Sequence, residues 1–124
     1  MLTKIETPHA PAALGPYSQA IDTGNLLFVS GQLGLDMSTG ELPESFEEQA
    51  KNIMINIKAI LEEAGSGFDK VAKSTIFLTD MSDFAKINEI YGARFPNHKP
   101  ARSCIQVCAL PKNAKVEIEL IAIK

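Results

Sequence analysis

A chain of 124 residues, with 45% hydrophobic and 22% charged residues, has the composition of a folded globular protein, and we expect residues 1–124 to form a single domain. The formal net charge of −3, without any run of Lys or Arg, argues against a nucleic acid or an anionic membrane surface as the main partner. No apolar stretch approaches the roughly 20 residues of a membrane helix, and residues 1–6 lack the apolar core of a signal peptide, so the sequence predicts a cytoplasmic protein.

The N-terminal third predicts an extended segment followed by a β-hairpin. Pro8, Pro11 and Pro16 exclude regular helix from the first part of the chain. A strand is predicted over residues 17–22, a turn over 23–25, and a strongly apolar strand over 26–30 that stops at Gly31.

Two amphipathic helices are predicted, with a strand between them. Ser45 and Glu48 have the spacing of a capping box, and Gly65 is placed to end the helix that starts there. The β-branched and aromatic residues of segment 71–78 predict a strand, after which Asp80, Ser82 and Asp83 offer caps for a helix running to about residue 94. The apolar positions of the first helix recur at i, i+3, i+4 and i+7: Phe46, Ala50, Ile53, Met54, Ile57, Ile60, Leu61 and Ala64.

One amide interrupts the apolar stripe of the second helix. Asn88 lies among Phe84, Ile87, Tyr91 and Phe95. A buried amide must find partners or cost about 1 to 3 kcal/mol, so Asn88 either bonds to a nearby loop or faces a ligand. Spacing alone favours the loop.

The last two predicted strands carry the charged groups of interest. Arg102 shares a strand face with Cys104, while Glu117 and Glu119 share a face of the strand over 116–123. If the two strands pair antiparallel, Arg102 would face one of the glutamates. Such a pair is either a cross-strand ion pair of small value or a small-anion site, in which the arginine grips a carboxylate and the glutamate handles a proton. Spacing leaves both interpretations open and does not choose between the glutamates.

The side chains available for other chemistry are few. Cys104, Cys108, His9 and His98 are the only cysteines and histidines, so no metal site is expected. Glycine-rich phosphate loops are absent as well, and no cofactor is expected.

The element order predicts an α+β fold, with a mixed β-sheet and two helices packed on one of its faces. The other face also carries apolar side chains, and nothing remains in the chain to bury them. A symmetric oligomer is therefore expected, with the site between subunits.

Five segments resemble the RidA/YjgF family, and together they cover the chain nearly from end to end. They are APAALGPYSQ (10–19), VSGQ (29–32), FAKINEIY (84–91), PARSC (100–104) and LPKNAKVEIE (110–119). The resemblance implies a chorismate-mutase-like fold and a homotrimer with sites in the clefts between subunits. It also implies a cofactor-free 2-iminobutanoate/2-iminopropanoate deaminase, which hydrolyses reactive imines formed from the enamines that pyridoxal-phosphate dehydratases release.

The resemblance also assigns roles by position. Arg102 matches the arginine that binds the substrate carboxylate, and Glu117, rather than Glu119, matches the glutamate that positions or activates water. The residues that it places in the pocket lining are Tyr17, Ser30, Gly31, Asn88 and Cys104, the last through its backbone. Residues 33–36, Leu-Gly-Leu-Asp, depart from the Ile-Pro step of many relatives, which would reshape the pocket rim.

Two other functions are compatible with the resemblance. A non-catalytic regulatory trimer could use the same cleft to bind a 2-oxo acid, although the retained Arg102 favours an enzyme. The ribonuclease or translation-inhibitor activity sometimes attached to the family is disfavoured by the acidic charge balance.

Overall fold

The computed structural model describes all residues, 1–124, and contains one six-stranded mixed sheet covered on one face by two helices. The predicted α+β architecture is confirmed. The sheet order is β1-β2-β3-β6-β4-β5, and every neighbouring pair is antiparallel except β4 with β5. The elements in chain order are β1 (Thr3–Ile5), β2 (Ala20–Asp22), β3 (Leu26–Gln32), α1 (Phe46–Glu63), β4 (Val71–Leu78), α2 (Phe84–Gly92), β5 (Ala101–Gln106) and β6 (Val116–Ile123).

The predicted hairpin is confirmed with shifted bounds. Strand β2 is shorter than predicted and begins at Ala20, whereas β3 continues past Gly31 to Gln32. The sequence pattern did not predict β1, a three-residue strand that pairs with β2 at the sheet edge. An edge strand this short carries too few residues for an alternating pattern to be recognised.

Helix α1 has the predicted boundaries because both of its ends are capped locally. The Ser45 hydroxyl accepts a hydrogen bond from the Glu48 backbone N–H at 3.0 Å. Gly65 has a φ of +76°, the left-handed conformation that glycine adopts most easily, and its N–H donates to the Glu62 carbonyl. The whole predicted apolar stripe is buried against the sheet, where it forms the centre of the core.

A second stripe of α1, made of amides, holds the loop that follows β3. Asn52 donates to the Gly34 carbonyl at 3.1 Å, and Asn56 donates to the Leu33 and Leu35 carbonyls at 3.3 and 3.1 Å. Gly34 lies so close to α1 that a Cβ atom there would overlap the backbone of Gln49. The segment that replaces the Ile-Pro step of many relatives is therefore a loop, and partly buried hydrogen bonds fix it to the helix.

Helix α2 begins later and ends earlier than predicted. The Asp80 carboxylate accepts from the Ser82 N–H at 2.9 Å and caps a short 3₁₀ turn, after which the α-helix runs from Phe84 to Gly92. Three members of its stripe, Ile87, Tyr91 and the following Phe95, are buried, whereas Phe84 and Asn88 are half-buried. The two half-buried side chains lie at the end of the stripe that faces the edge of the sheet, next to β5.

The antiparallel pairing of β5 with β6, on which a contact between Arg102 and a glutamate depended, does not form. Strand β5 pairs in parallel with β4 at the sheet edge, with Ser74 opposite Arg102, and β6 lies between β3 and β4. Strands β4 and β5 are joined through α2 as a β-α-β unit, and a helical crossover of this kind returns the chain parallel to its first strand.

The sheet face away from the helices is apolar and uncovered by this chain. Phe28, Ile105 and Ile123 lie on it with 43%, 47% and 48% of their surface exposed. Register places Phe28 opposite both Ile21 and Ile121, and we call this uncovered face of the sheet the open face. Apolar side chains exposed together on one sheet face are typical of interaction surfaces.

Neither helix is both long and apolar enough to cross a membrane.

We expect Asn56→Ala to lower the free energy of unfolding by about 1 to 3 kcal/mol, because two carbonyls of the loop after β3 lose their donor in a buried environment. Urea denaturation followed by circular dichroism measures the change. Asn97→Ala is the matched control, since Asn97 is exposed, and it should change stability by less than about 0.5 kcal/mol. Equal stability of the two variants would show that the amide stripe does not hold the loop.

Candidate active site

Arg102 lies on the helix-covered face of the sheet, where its partner is an amide. Its Nη1 donates to Asn88 Oδ1 at 2.7 Å. Its guanidinium carbon lies 5.5 Å from the ring centre of Phe84 and 5.4 Å from that of Tyr91. None of the three ion pairs in the structure includes Arg102, so the ion-pair interpretation is wrong and the guanidinium charge is not neutralised within the chain.

Asn88 was expected either to bond to a nearby loop or to face a ligand. It bonds to an arginine side chain instead of a loop, and it thereby occupies one of the five guanidinium donors. The remaining donors of Arg102 are unengaged by the chain, and a carboxylate accepts two such donors in parallel. Asn88 therefore orients a guanidinium whose remaining donors are available to an anion.

Cys104 lies two residues further along β5 on the same face and is half-buried. Burial raises the pKa of its thiol above the ordinary value, and the nearby Arg102 charge only partly opposes that effect. A protonated, sheltered thiol is a poor nucleophile. The structure therefore gives the Cys104 side chain a packing role beside the arginine.

Glu117 lies on the open face, against a distortion of β3 that the sequence pattern did not predict. Val29 is opposite Leu120 and Gln32 is opposite Ile118, so β3 has one extra residue over this interval and forms a β-bulge at Ser30–Gly31. A Cβ atom at Gly31 would overlap Glu117 Oε2. Glycine therefore lets the carboxylate lie directly against the strand backbone.

The environment of Glu117 favours its neutral form. Partial burial raises the pKa of the Glu117 carboxyl above its ordinary value, and the negative charge of Glu119 on the same face raises it further. A carboxyl group with a raised pKa holds a proton more readily than an ordinary glutamate and can exchange it with a reacting group.

Ser30 and Tyr17 lie near the bulge through the segment that precedes β2. The Ser30 hydroxyl donates to the Ser18 carbonyl at 2.6 Å, and the Ser30 N–H donates to the Gln19 carbonyl at 2.9 Å. Tyr17 is the neighbour of Ser18, and about half of its side chain is exposed. The proline-containing lead-in is thus fastened to the bulge and carries Tyr17 as an exposed aromatic ring.

The predicted site residues fall into two groups that one chain does not bring together. Arg102, Asn88 and Cys104 form a group on the helix-covered side of the sheet edge, which we call the arginine half-site. The other group, which we call the glutamate half-site, lies around the bulge on the open face and comprises Tyr17, Ser30, Gly31 and Glu117. Strand β4 separates β5 from β6, which places the strands about 10 Å apart with the two charged side chains on opposite faces.

Comparison with known proteins gives one consistent result. The sequence profile of the endoribonuclease L-PSP family matches residues 7–124. The chain is 45% identical to the 2-iminobutanoate/2-iminopropanoate deaminase of Escherichia coli K12, over 100% of this chain and 99% of that protein. It is 46% identical to the putative reactive intermediate deaminase TdcF of the same organism, over 97% of this chain and 95% of TdcF.

A solved structure extends the likeness to the fold. The crystal structure of E. coli TdcF with bound serine superposes with a TM-score of 0.94 at 46% sequence identity, and it covers 98% of each chain. The chain therefore belongs to the endoribonuclease L-PSP family, which is the RidA/YjgF family that its site residues resemble.

Proposed function

We propose that the protein hydrolyses small 2-imino acids, such as 2-iminobutanoate and 2-iminopropanoate, to 2-oxo acids and ammonia. The observation that carries this proposal is the Arg102 guanidinium, which is oriented by Asn88 and has no acidic partner in the chain. Relatives at 45% and 46% identity over nearly the full chain are named deaminases, and the chain is an enzyme of this imine-hydrolysing class. The serine bound to TdcF is a small 2-amino carboxylate, which supports a substrate of that size and charge.

In the proposed reaction Arg102 binds the substrate carboxylate with two parallel hydrogen bonds. This contact fixes the imine carbon relative to a water molecule held by Glu117. The water oxygen attacks that carbon while Glu117 accepts a water proton and passes it to the imine nitrogen, which gives a carbinolamine. Glu117 then moves the hydroxyl proton to the amino group, the C–N bond breaks, ammonia leaves and the 2-oxo acid remains.

The separation of the two half-sites supports an active site shared between protomers. The arginine half-site and the glutamate half-site lie on opposite faces of one sheet, so a second copy is needed to place both on one substrate. Joining two different surface patches gives a heterologous interface, and repeated heterologous contacts form a ring when the rotation between neighbouring copies closes. The apolar open face supplies a surface for that contact, and we propose a homotrimer with three shared sites.

Loss of the arginine should weaken substrate binding. We expect Arg102→Ala to lower kcat/KM for imine hydrolysis on the order of a hundredfold, since the substrate carboxylate loses its partner in a sheltered site. Arg102→Lys should lower kcat/KM by an intermediate amount. The lysine ammonium keeps the positive charge but cannot donate two parallel hydrogen bonds to a carboxylate as the guanidinium does.

The measurement is 2-oxobutanoate formation when the protein is added to threonine and a threonine dehydratase. Arg94→Ala is the control, because Arg94 stacks on Phe68 instead of lining the site, and its activity should match that of the wild type. Wild-type activity in Arg102→Ala would remove the basis of the proposal.

The pH dependence should report on Glu117. The ionised carboxylate acts as the base, so kcat should rise with pH through the raised pKa of Glu117. Glu119→Gln removes a neighbouring negative charge, which makes ionisation of Glu117 easier and lowers its pKa. The rising part of the kcat–pH profile, its acid limb, should therefore move to lower pH. Glu89→Gln, at an exposed position of α2, should leave the acid limb of the profile in place.

A further variant separates binding from chemistry. Glu117→Gln should bind 2-oxobutanoate in calorimetry but lose turnover. If wild-type protein also binds 2-oxobutanoate without hydrolysing imines, the protein is a binding module and not an enzyme. Full activity in Glu117→Gln would exclude Glu117 as the base.

Subunit mixing tests the shared site. Alone, Arg102→Ala is expected to keep only about one hundredth of the wild-type kcat/KM, and Glu117→Gln is expected to lose turnover. After joint unfolding and refolding in equal amounts, a site that takes Arg102 from one protomer and Glu117 from its neighbour should be intact in about one quarter of random pairings, and activity should return to that level. Each variant refolded alone provides the control. A site contained within one protomer would give no recovery.

A further inference from the structure

One face of α2 supplies the hydrogen-bond acceptor and the two aromatic rings that contact the Arg102 guanidinium. Phe84, Asn88 and Tyr91 follow one another at i, i+4 and i+7, so their side chains project along one stripe of the helix. The guanidinium carbon lies at nearly equal distances from the two rings, 5.5 Å and 5.4 Å, and the amide between them accepts from Nη1 at 2.7 Å.

The three contacts hold the guanidinium without neutralising it. A carboxylate at position 88 would pair with the arginine and compete with an anionic substrate, whereas the neutral Asn88 orients Nη1 and leaves the charge available. The aromatic faces attract the weakly hydrated cation and limit its rotation. The donors that point away from Asn88 stay free for a ligand.

The Tyr91 ring is itself held in place by contacts with Ser74 and Phe95. Its hydroxyl lies 2.5 Å from the Ser74 hydroxyl, and its ring centre lies 4.7 Å from that of the buried Phe95. Ser74 is the residue opposite Arg102 in the β4–β5 pairing, so the same pair of strands sets the position of the arginine and of the ring beneath it.

We propose that Phe84 and Tyr91 are positioning residues that, together with Asn88, hold the Arg102 guanidinium in the orientation in which it binds the substrate carboxylate. This inference rests on the proposed function for the identity of the ligand. The contacts that hold the arginine are a property of the chain itself, so an experiment without the ligand can test them.

The chain contains a matched control for this arrangement. It has two arginines, Arg94 and Arg102, and each lies over a phenylalanine. Arg94 is 5.4 Å from the ring centre of Phe68, which is half-buried like Phe84 but lies outside both half-sites. Phe84→Leu and Phe68→Leu therefore remove the same atoms from beneath two different guanidinium groups.

Nuclear magnetic resonance of protein labelled with ¹⁵N-arginine measures directly how far rotation of the Arg102 guanidinium is restricted. The two arginines give two sets of guanidinium signals, which Arg94→Lys assigns. In the wild type, hindered rotation should give resolved Nη–H signals for Arg102. Phe84→Leu should broaden or merge these signals and leave those of Arg94 unchanged. Phe68→Leu should change the Arg94 signals and leave those of Arg102 unchanged. Phe84→Tyr keeps the ring and should preserve the Arg102 signals.

The Kd for 2-oxobutanoate, measured by calorimetry, shows whether the orientation of the Arg102 guanidinium affects ligand binding. Phe84→Leu should raise the Kd on the order of tenfold, as expected for the loss of a partly desolvated cation–π contact. Phe84→Tyr and Phe68→Leu should stay near the wild-type Kd. KM for the imine should follow the Kd, while the acid limb of the pH profile, which Glu117 sets, should not move.

The outcomes separate the two proposals. Arg102 signals and a Kd that are unchanged in Phe84→Leu would overturn the positioning role even if the wild type is an active deaminase. Wild-type protein that fails to hydrolyse imines would overturn the proposed function, whereas the Arg102 signals would still decide whether the rings hold the arginine.

Discussion

Strand β5 pairs in parallel with β4 at the edge of the sheet, and this single pairing determines where Arg102 lies. In that register Arg102 shares a face with Ser74 and reaches α2, where it meets an amide and two aromatic rings. Pairing with β6 instead would have placed the arginine beside a glutamate and neutralised it. The β-α-β connection thus keeps an unpaired cation in a half-buried position, where its attraction for a carboxylate is stronger than in open solvent.

Glu117 depends on a different irregularity, the bulge at Ser30–Gly31 of β3. The extra residue turns the backbone so that the carboxylate lies against Gly31, and the resulting burial raises the pKa of Glu117. The loop that follows the bulge is tied to α1 by Asn52 and Asn56, while Gln49 of the same helix accepts from the Lys115 N–H at 2.9 Å, just before β6. One helix therefore fixes the chain on both sides of the glutamate.

The two half-sites show how one small sheet can divide a reaction between its faces. In the reaction that we propose, the carboxylate binds on the covered side of the sheet edge, and the proton is transferred on the open face. Keeping the two charges apart within a protomer prevents them from pairing with each other, because a buried ion pair would remove both the anion site and the raised pKa. The assembly that we propose brings them together only with the substrate between them.

The sequence by itself determined those parts of the structure that depend on neighbouring residues. The ends of α1 follow from Ser45, Glu48 and Gly65, and β4 follows from its run of β-branched and aromatic residues, because capping and periodicity act over a few residues. The family resemblance added the identities of Arg102 and Glu117 as the charged residues of the site, since it is carried by short motifs in the chain.

Only the tertiary structure decided on which faces these residues lie and what surrounds them. The parallel edge pairing of β5, the bulge opposite Glu117 and the contact of Asn88 with Arg102 join residues that are 14 to 86 positions apart. Strand order and register arise from the packing of the whole chain, and a shift of one residue reverses every side chain of a strand. Local pattern carries no information about such contacts, which is why the sequence left open a cross-strand contact between an arginine and a glutamate. The fold placed the two on opposite sides of the sheet.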